Sequence, residues 1–267
     1  MIKRCTKLFL ALGVRTWDLL IERARRWTGR PPRSRGVVLY YHAVQPEQAG
    51  RFAAQMDWLM RVATPWRAES PIQRSPGLHV AITFDDGYLS VVENALPVLK
   101  QRNLPFTMFF PTGSWGSRPG WVHRPDHPFW QERILTKDEL CTLAQEPLLT
   151  IGSHSVTHPK FPALDRAAAA REFSESKNEL ESLLERPVDL FCFPHGACNE
   201  ALIQLAADAG YRRVFTVAPH VIDPARPTLA LGRIAVEPDD SPLEFRLKMT
   251  GAYRWQTWLS RRSRNAQ

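Results

Sequence analysis

Between residues 36 and 220 the chain alternates short apolar runs with longer stretches of mixed polarity. Val37–Tyr41, Val80–Phe84, Phe106–Phe110, Leu148–Ile151, Leu190–Phe193 and Val214–Val217 are four or five residues long and rich in β-branched and aromatic types. Runs of that length and make-up predict buried strands. The stretches 50–63, 89–102, 136–145, 164–186 and 199–209 predict helices between them. Thr136 followed by Glu139 has the pattern of a capping box, and Gly210 stands where a helix C-terminus favours glycine. Strand–helix alternation over such a length predicts an α/β fold. Its sheet is parallel with crossover helices, either open or closed into a barrel.

The alternation fails in two places. Residues 112–135 form a long connection with Trp115, Trp121, His123, His127, Phe129 and Trp130. Such a segment is either a functional loop whose tryptophans stack on sugar rings or an aromatic plug, the plug being the plainer reading of bulky apolar side chains. At the start, the apolar run Leu8–Val14 follows Lys3, Arg4 and Lys7 in the order of a secretory signal, but Arg15 and Asp18 come at once and no A-x-A site appears. Leu8, Leu12, Trp17, Leu19, Leu20 and Trp27 with interleaved arginines predict a basic amphipathic helix, lying in a membrane interface or packed on its own domain. Arg30–Arg35, with two prolines, reads as a linker. The expected organisation is a helix and linker over 1–35, a domain over 36–253 and a basic tail over 254–267.

Composition narrows the class. With 267 residues, 44% hydrophobic and 23% charged, the chain can bury a substantial core, which excludes disorder and repeats of collagen type. No apolar run approaches the roughly 18–20 residues of a spanning helix, and the four cysteines form no C-x-x-C pair. The net charge of +8 is carried by the ends: residues 1–35 hold ten Lys/Arg against two acids, and 254–267 hold four Arg with no acid. The middle is therefore mildly acidic. This excludes a nucleic-acid groove and points the two ends toward an anionic membrane surface. The corresponding location is cytoplasmic and peripheral to the inner membrane, with the periplasm as the alternative.

Chemistry gathers at strand ends, where α/β sheets and barrels carry their sites. Thr83-Phe84-Asp85-Asp86-Gly87 closes one strand with two carboxylates, of which one can ligate a metal while the other serves as general base. Gly152-Ser153-His154-Ser155-Val156-Thr157-His158 follows another, and two histidines four apart share a face if the chain enters a helical turn, a spacing used for Zn²⁺. Two imidazoles and one carboxylate leave coordination positions open, as a catalytic metal requires. Phe191-Cys192-Phe193-Pro194-His195-Gly196 ends a third strand, with amides that could face an oxyanion.

In order and spacing these three segments resemble the polysaccharide deacetylases of carbohydrate esterase family 4, over roughly residues 36–250. The resemblance implies a distorted (β/α) barrel of about seven strands, a divalent metal, usually zinc, and hydrolysis of N-acetyl groups on amino sugars. By motif position it implies Asp85 as the base and Asp86, His154 and His158 as metal ligands.

Two positions depart from the family pattern. Cys192 stands where many members carry an arginine that pairs with the catalytic aspartate. The late Leu-x-His is replaced by Leu229-Ala230-Leu231-Gly232-Arg233-Ile234, with no histidine after His220. His42 and His195 are then the candidates for protonating the leaving amine. Arg233 lies in an apolar run where an unpaired charge is costly. It is expected either to reach the barrel mouth and pair with Asp85, or to sit outward on an edge strand. The expected function is a metal-dependent deacetylase of a cell-surface polysaccharide, glycolipid or lipid-linked glycan. The alternatives are a deformylase or other amidase on a lipid-linked amino sugar, and a glycan-binding pseudoenzyme.

Overall fold

The computed structural model of the protein describes residues 2–72 and 75–257, with side chains from Arg4 onward. Of the expected basic tail, residues 258–267 lie outside the described residues. The elements are α1 (Ile2–Trp27), β1 (Ser34–Tyr41), α2 (Ala49–Val62), β2 (Thr64–Pro65), β3 (Gly77–Phe84), α3 (Leu96–Gln101), β4 (Phe106–Phe110), α4 (Lys137–Leu143), β5 (Leu149–Ser153), α5 (Arg166–Leu184), β6 (Leu190–Cys192), α6 (Glu200–Asp208), β7 (Arg213–Thr216), β8 (Ala230–Ala235) and α7 (Pro242–Met249). All strand pairings are parallel, and the pairing of β1 with β3 closes β3-β4-β5-β6-β7-β8-β1 into a seven-stranded barrel. The two residues of β2 pair with His79 and Val80, the part of β3 that β4 leaves free. The expected (β/α) barrel with an N-terminal helix is the architecture observed.

Strand parity sorts the side chains. Val37, Leu39, Tyr41, Val80, Ile82 and Phe84 join the core under the outer helices. Val38, Ala81, Phe109, Leu190, Phe215 and Leu231 fill the barrel interior. Period-two alternation makes Tyr40, Thr83, Cys192 and Arg233 the next inward layer, toward the carboxyl ends of the strands. A third cluster, Phe161, Phe173, Phe191, Phe193 and Tyr211, packs behind β6.

Thr136 and Glu139 close the capping box ahead of α4, and Asp165 and Asn199 cap α5 and α6. The helix expected over 89–102 is split into a π-turn at Val91–Ala95 and α3. Pro97 sits in the first turn of α3 and lacks the amide that an uninterrupted helix would use. The expected linker is shortened, because β1 begins at Ser34.

Candidate active site

Asp85 and Asp86 leave β3 in opposite backbone conformations. The Asp85 amide still donates to Tyr41 O, continuing the ladder, whereas Asp86 and Gly87 both take left-handed values (φ 67° and 64°). Adjacent strand residues normally face opposite sides. The left-handed pair reverses that for Asp86, so both carboxylates are buried at the barrel mouth. Only glycine fits at 87, where a Cβ would meet the Phe110 ring at 2.4 Å.

Arg233 is fully buried and grips Asp85 with both ends of its guanidinium: Nη1 donates to Oδ1 and Nη2 to Oδ2, each at 2.7 Å. Nη1 also donates to Thr83 Oγ1 at 3.1 Å, and Nη2 lies 2.8 Å from Cys192 Sγ. The Tyr40 ring covers the guanidinium, 4.4 Å from its centroid. Burial opposes ionisation of Asp85, but Arg233 outweighs it and holds the carboxyl below its ordinary value. Burial pushes the Cys192 thiol well up, leaving it a neutral neighbour of the pair. Of the two positions left open for Arg233, the structure shows the inward one.

Asp86 faces a different set. Its Oδ1 lies 3.5 Å from His154 Nε2 and 3.3 Å from His158 Nε2, yet it is buried without a well-aligned hydrogen bond. His154 Nδ1 donates to Cys192 O at 2.8 Å, which directs the lone pair of Nε2 toward Asp86. Burial pushes His154 down to about 4, so the ring is neutral near pH 7. One oxygen and two imidazole nitrogens thus converge, all within 4.8 Å of one another. Asp85, His154 and Cys192 form a second such group. There, however, both Asp85 oxygens already accept from Arg233.

The two histidines meet without a helix. Residues 154–160 are irregular, with Ser155 and His158 left-handed (φ 70° and 56°). Glu172 of α5 holds this turn: its Oε2 accepts from the amides of Val156 and Thr157, and its Oε1 accepts from Thr157 Oγ1. Nothing in the local sequence marks Glu172, which lies sixteen residues beyond Val156. Trp121 stacks on His158 with centroids 3.8 Å apart. Trp115 donates to Glu179 and Phe129 packs on Tyr88 and His42. The 112–135 connection therefore combines plug and site wall.

The remaining candidates flank the cluster. His195, left-handed and exposed, sets its ring against His158 with centroids 4.7 Å apart. Partial burial, with His158 and Lys160, lowers its pKa. His42 stands on the other side. Tyr41 pairs with Phe84, so His42 is level with Asp85 in the next strand. The Phe191–Gly196 segment serves the site through the Cys192 carbonyl, while its Phe193 and Gly196 amides donate to Phe215 O and Phe193 O.

The profile of the polysaccharide deacetylase family matches residues 73–214. The putative polysaccharide deacetylase YxkH of Bacillus subtilis is 27% identical over 228 residues, 81% of this chain and 75% of that protein. The poly-beta-1,6-N-acetyl-D-glucosamine N-deacetylase of Staphylococcus epidermidis is 25% identical over 174 residues, 61% of this chain and 56% of that protein. Among solved structures, IcaB from Ammonifex degensii superposes with a TM-score of 0.67 at 24% identity, covering 82% of this chain and 97% of that one. The Streptococcus pyogenes deacetylase PplD, in complex with acetate, gives 0.66 at 21%, covering 81% and 99%. With the profile spanning more than half of its length, the chain belongs to the polysaccharide deacetylase family.

Proposed function

We propose that this protein is a metal-dependent hydrolase that removes acetyl groups from N-acetylated amino sugars of a cell-surface polysaccharide, glycolipid or lipid-linked glycan. The observation that carries the reading is the division of labour between adjacent carboxylates: Asp85 is held by one Arg233 hydrogen bond on each oxygen, while Asp86 is left with an unsatisfied oxygen facing two imidazoles. That orphaned oxygen and the neutral His154 fit a divalent cation. Three protein ligands of N₂O type suit Zn²⁺ with a position open. Bound by Asp86, His154 and His158, the ion would polarise the acetamide carbonyl and acidify a bound water.

The chain supplies the rest. Arg233 keeps Asp85 ionised and fixes its plane, so that an oxygen of Asp85 can accept the water's proton. His42, level with Asp85 and in the open rim, delivers a proton to the leaving amine. His195 is less suited, because its lowered pKa favours the neutral ring. Trp121 offers an aromatic wall beside the cluster.

Acetate release from N-acetylglucosamine oligomers, with zinc and with chelator, tests the reading. Asp85→Asn keeps its zinc and loses about 10²–10⁴-fold in turnover, whereas Asp86→Ala loses both. Near-native turnover in Asp85→Asn would overturn the assignment of the base.

A further inference from the structure

Helix α1 is mounted with both of its acids inward, among small and aliphatic side chains. Ala11 and Asp18 are buried, and Leu8 and Val14 pack against the core. The fixings are ionic. Asp18 accepts from Arg254 at 2.7 and 2.9 Å and from Arg35 at 3.5 Å, and Arg4 donates to Glu244 at 2.6 and 2.9 Å. Glu22, the other acid of the helix, also buries a carboxylate oxygen. Both acids thus face the barrel.

The opposite side carries the aromatic residues and the exposed leucines. Phe9, Trp17, Leu20 and Trp27 are 77%, 63%, 56% and 94% exposed. Phe9, Leu20 and Trp27 are 11 and 7 residues apart, close to whole numbers of turns, so they share one line along the helix. Arg23, Arg26 and Arg30 are exposed beside this stripe. Among the described residues, seven of the ten exposed large apolar side chains belong to α1, which concentrates the exposed apolar surface on one helix.

We propose that the outward face of α1 docks on an anionic lipid bilayer without leaving the barrel. Phe9, Trp17, Leu20 and Trp27 enter the boundary between headgroups and acyl chains, and the surrounding basic side chains meet lipid phosphates. The charge pattern favours lipid over a second copy of the chain: acids turned inward and bases outward would place arginine against arginine in a symmetric dimer. No helix among the described residues is long and apolar enough to cross a membrane, so the contact is peripheral. The attachment also fixes the barrel's attitude. Arg4 meets the first turn of α7, beyond the carboxyl end of β8, and Asp18 meets Arg35 at the amino end of β1. The helix therefore runs alongside the strands, so the barrel rests on its flank with its mouth opening along the membrane.

Flotation of the full chain with vesicles, without substrate, tests this independently of the hydrolytic reading. The protein floats with phosphatidylcholine vesicles containing about 30% phosphatidylglycerol, and binding falls as salt rises from about 0.1 M to about 0.5 M. Trp17→Ser/Leu20→Ser/Trp27→Ser reduces binding at least about tenfold, with an unchanged unfolding midpoint because these positions are exposed. Arg23→Gln/Arg26→Gln alters no core contact and reduces binding to the anionic vesicles by roughly ten- to thirtyfold. Undiminished flotation of either variant overturns the proposal. So does a lipid-free dimer that fails to float and becomes monomeric in the triple variant, which would assign the face to a second copy.

Discussion

At the scale of single residues, the decisive arrangement is the buried Arg233–Asp85 pair. A pair so deep gains little net stability over apolar residues, but removing one partner strands the other. Arg233→Met should therefore cost about 3–5 kcal/mol in urea unfolding at neutral pH. It should also shift the acid limb of the pH–rate profile. Arg233 holds Asp85 below its ordinary pKa, so its loss raises that pKa, and Asp85 becomes ionised only at higher pH. Arg233→Lys keeps a charge without the planar fork and should fall between wild type and Arg233→Met. An unmoved acid limb in Arg233→Met would show that the pair does not tune Asp85 as the proposed base. The pairing was half legible in the sequence. Cost of burial pointed to a partner for Arg233, but the apolar run around it did not say which way it faced. Membership of Leu231 in the barrel interior resolves this, since Arg233 shares its parity.

At the scale of elements, strands were read more faithfully than the turns that follow them. Phe106–Phe110 is the observed β4, because a run of bulky apolar residues has few other places to go. The His154–His158 spacing suggested a helical turn, but the turn depends on left-handed backbone at Ser155 and His158, which i, i+4 counting cannot see. Its stability comes from Glu172 on a separate helix. Glu172→Ala should free the amides of Val156 and Thr157 and let His158 drift. The expected result is a loss of about 10–100-fold in zinc affinity by competition with a chelating dye, with α5 intact by circular dichroism. Native affinity would mean that the stacked Trp121 and the bond from the His158 amide to Ser155 Oγ suffice to place His158.

At the scale of the molecule, the charge partition and six of the seven barrel strands were legible in the pattern, whereas β8 was not and closure rested on the family resemblance. The alternation of strands and helices suits an open sheet and a barrel equally well. The closing contact, β1 on β3, skips β2 and follows from how seven twisted strands meet. The sequence likewise showed that α1 was amphipathic, but not that ion pairs from Asp18 and Arg4 would turn its aromatic side outward. The 112–135 connection reaches across the mouth and lays the Trp121 indole against His158, 3.8 Å between centroids. Indole emission responds strongly to charge on a ring in contact with it, so this contact makes the protein's own fluorescence a gauge of its occupancy. Titrating chelated protein with zinc should change the emission in step with binding. Trp121→Phe should silence the signal while a chelating dye still reports uptake, and a signal surviving that substitution would have to arise from another of the nine tryptophans. The loop that walls the mouth would then also be its optical readout, letting loading be followed in solution without any substrate at all.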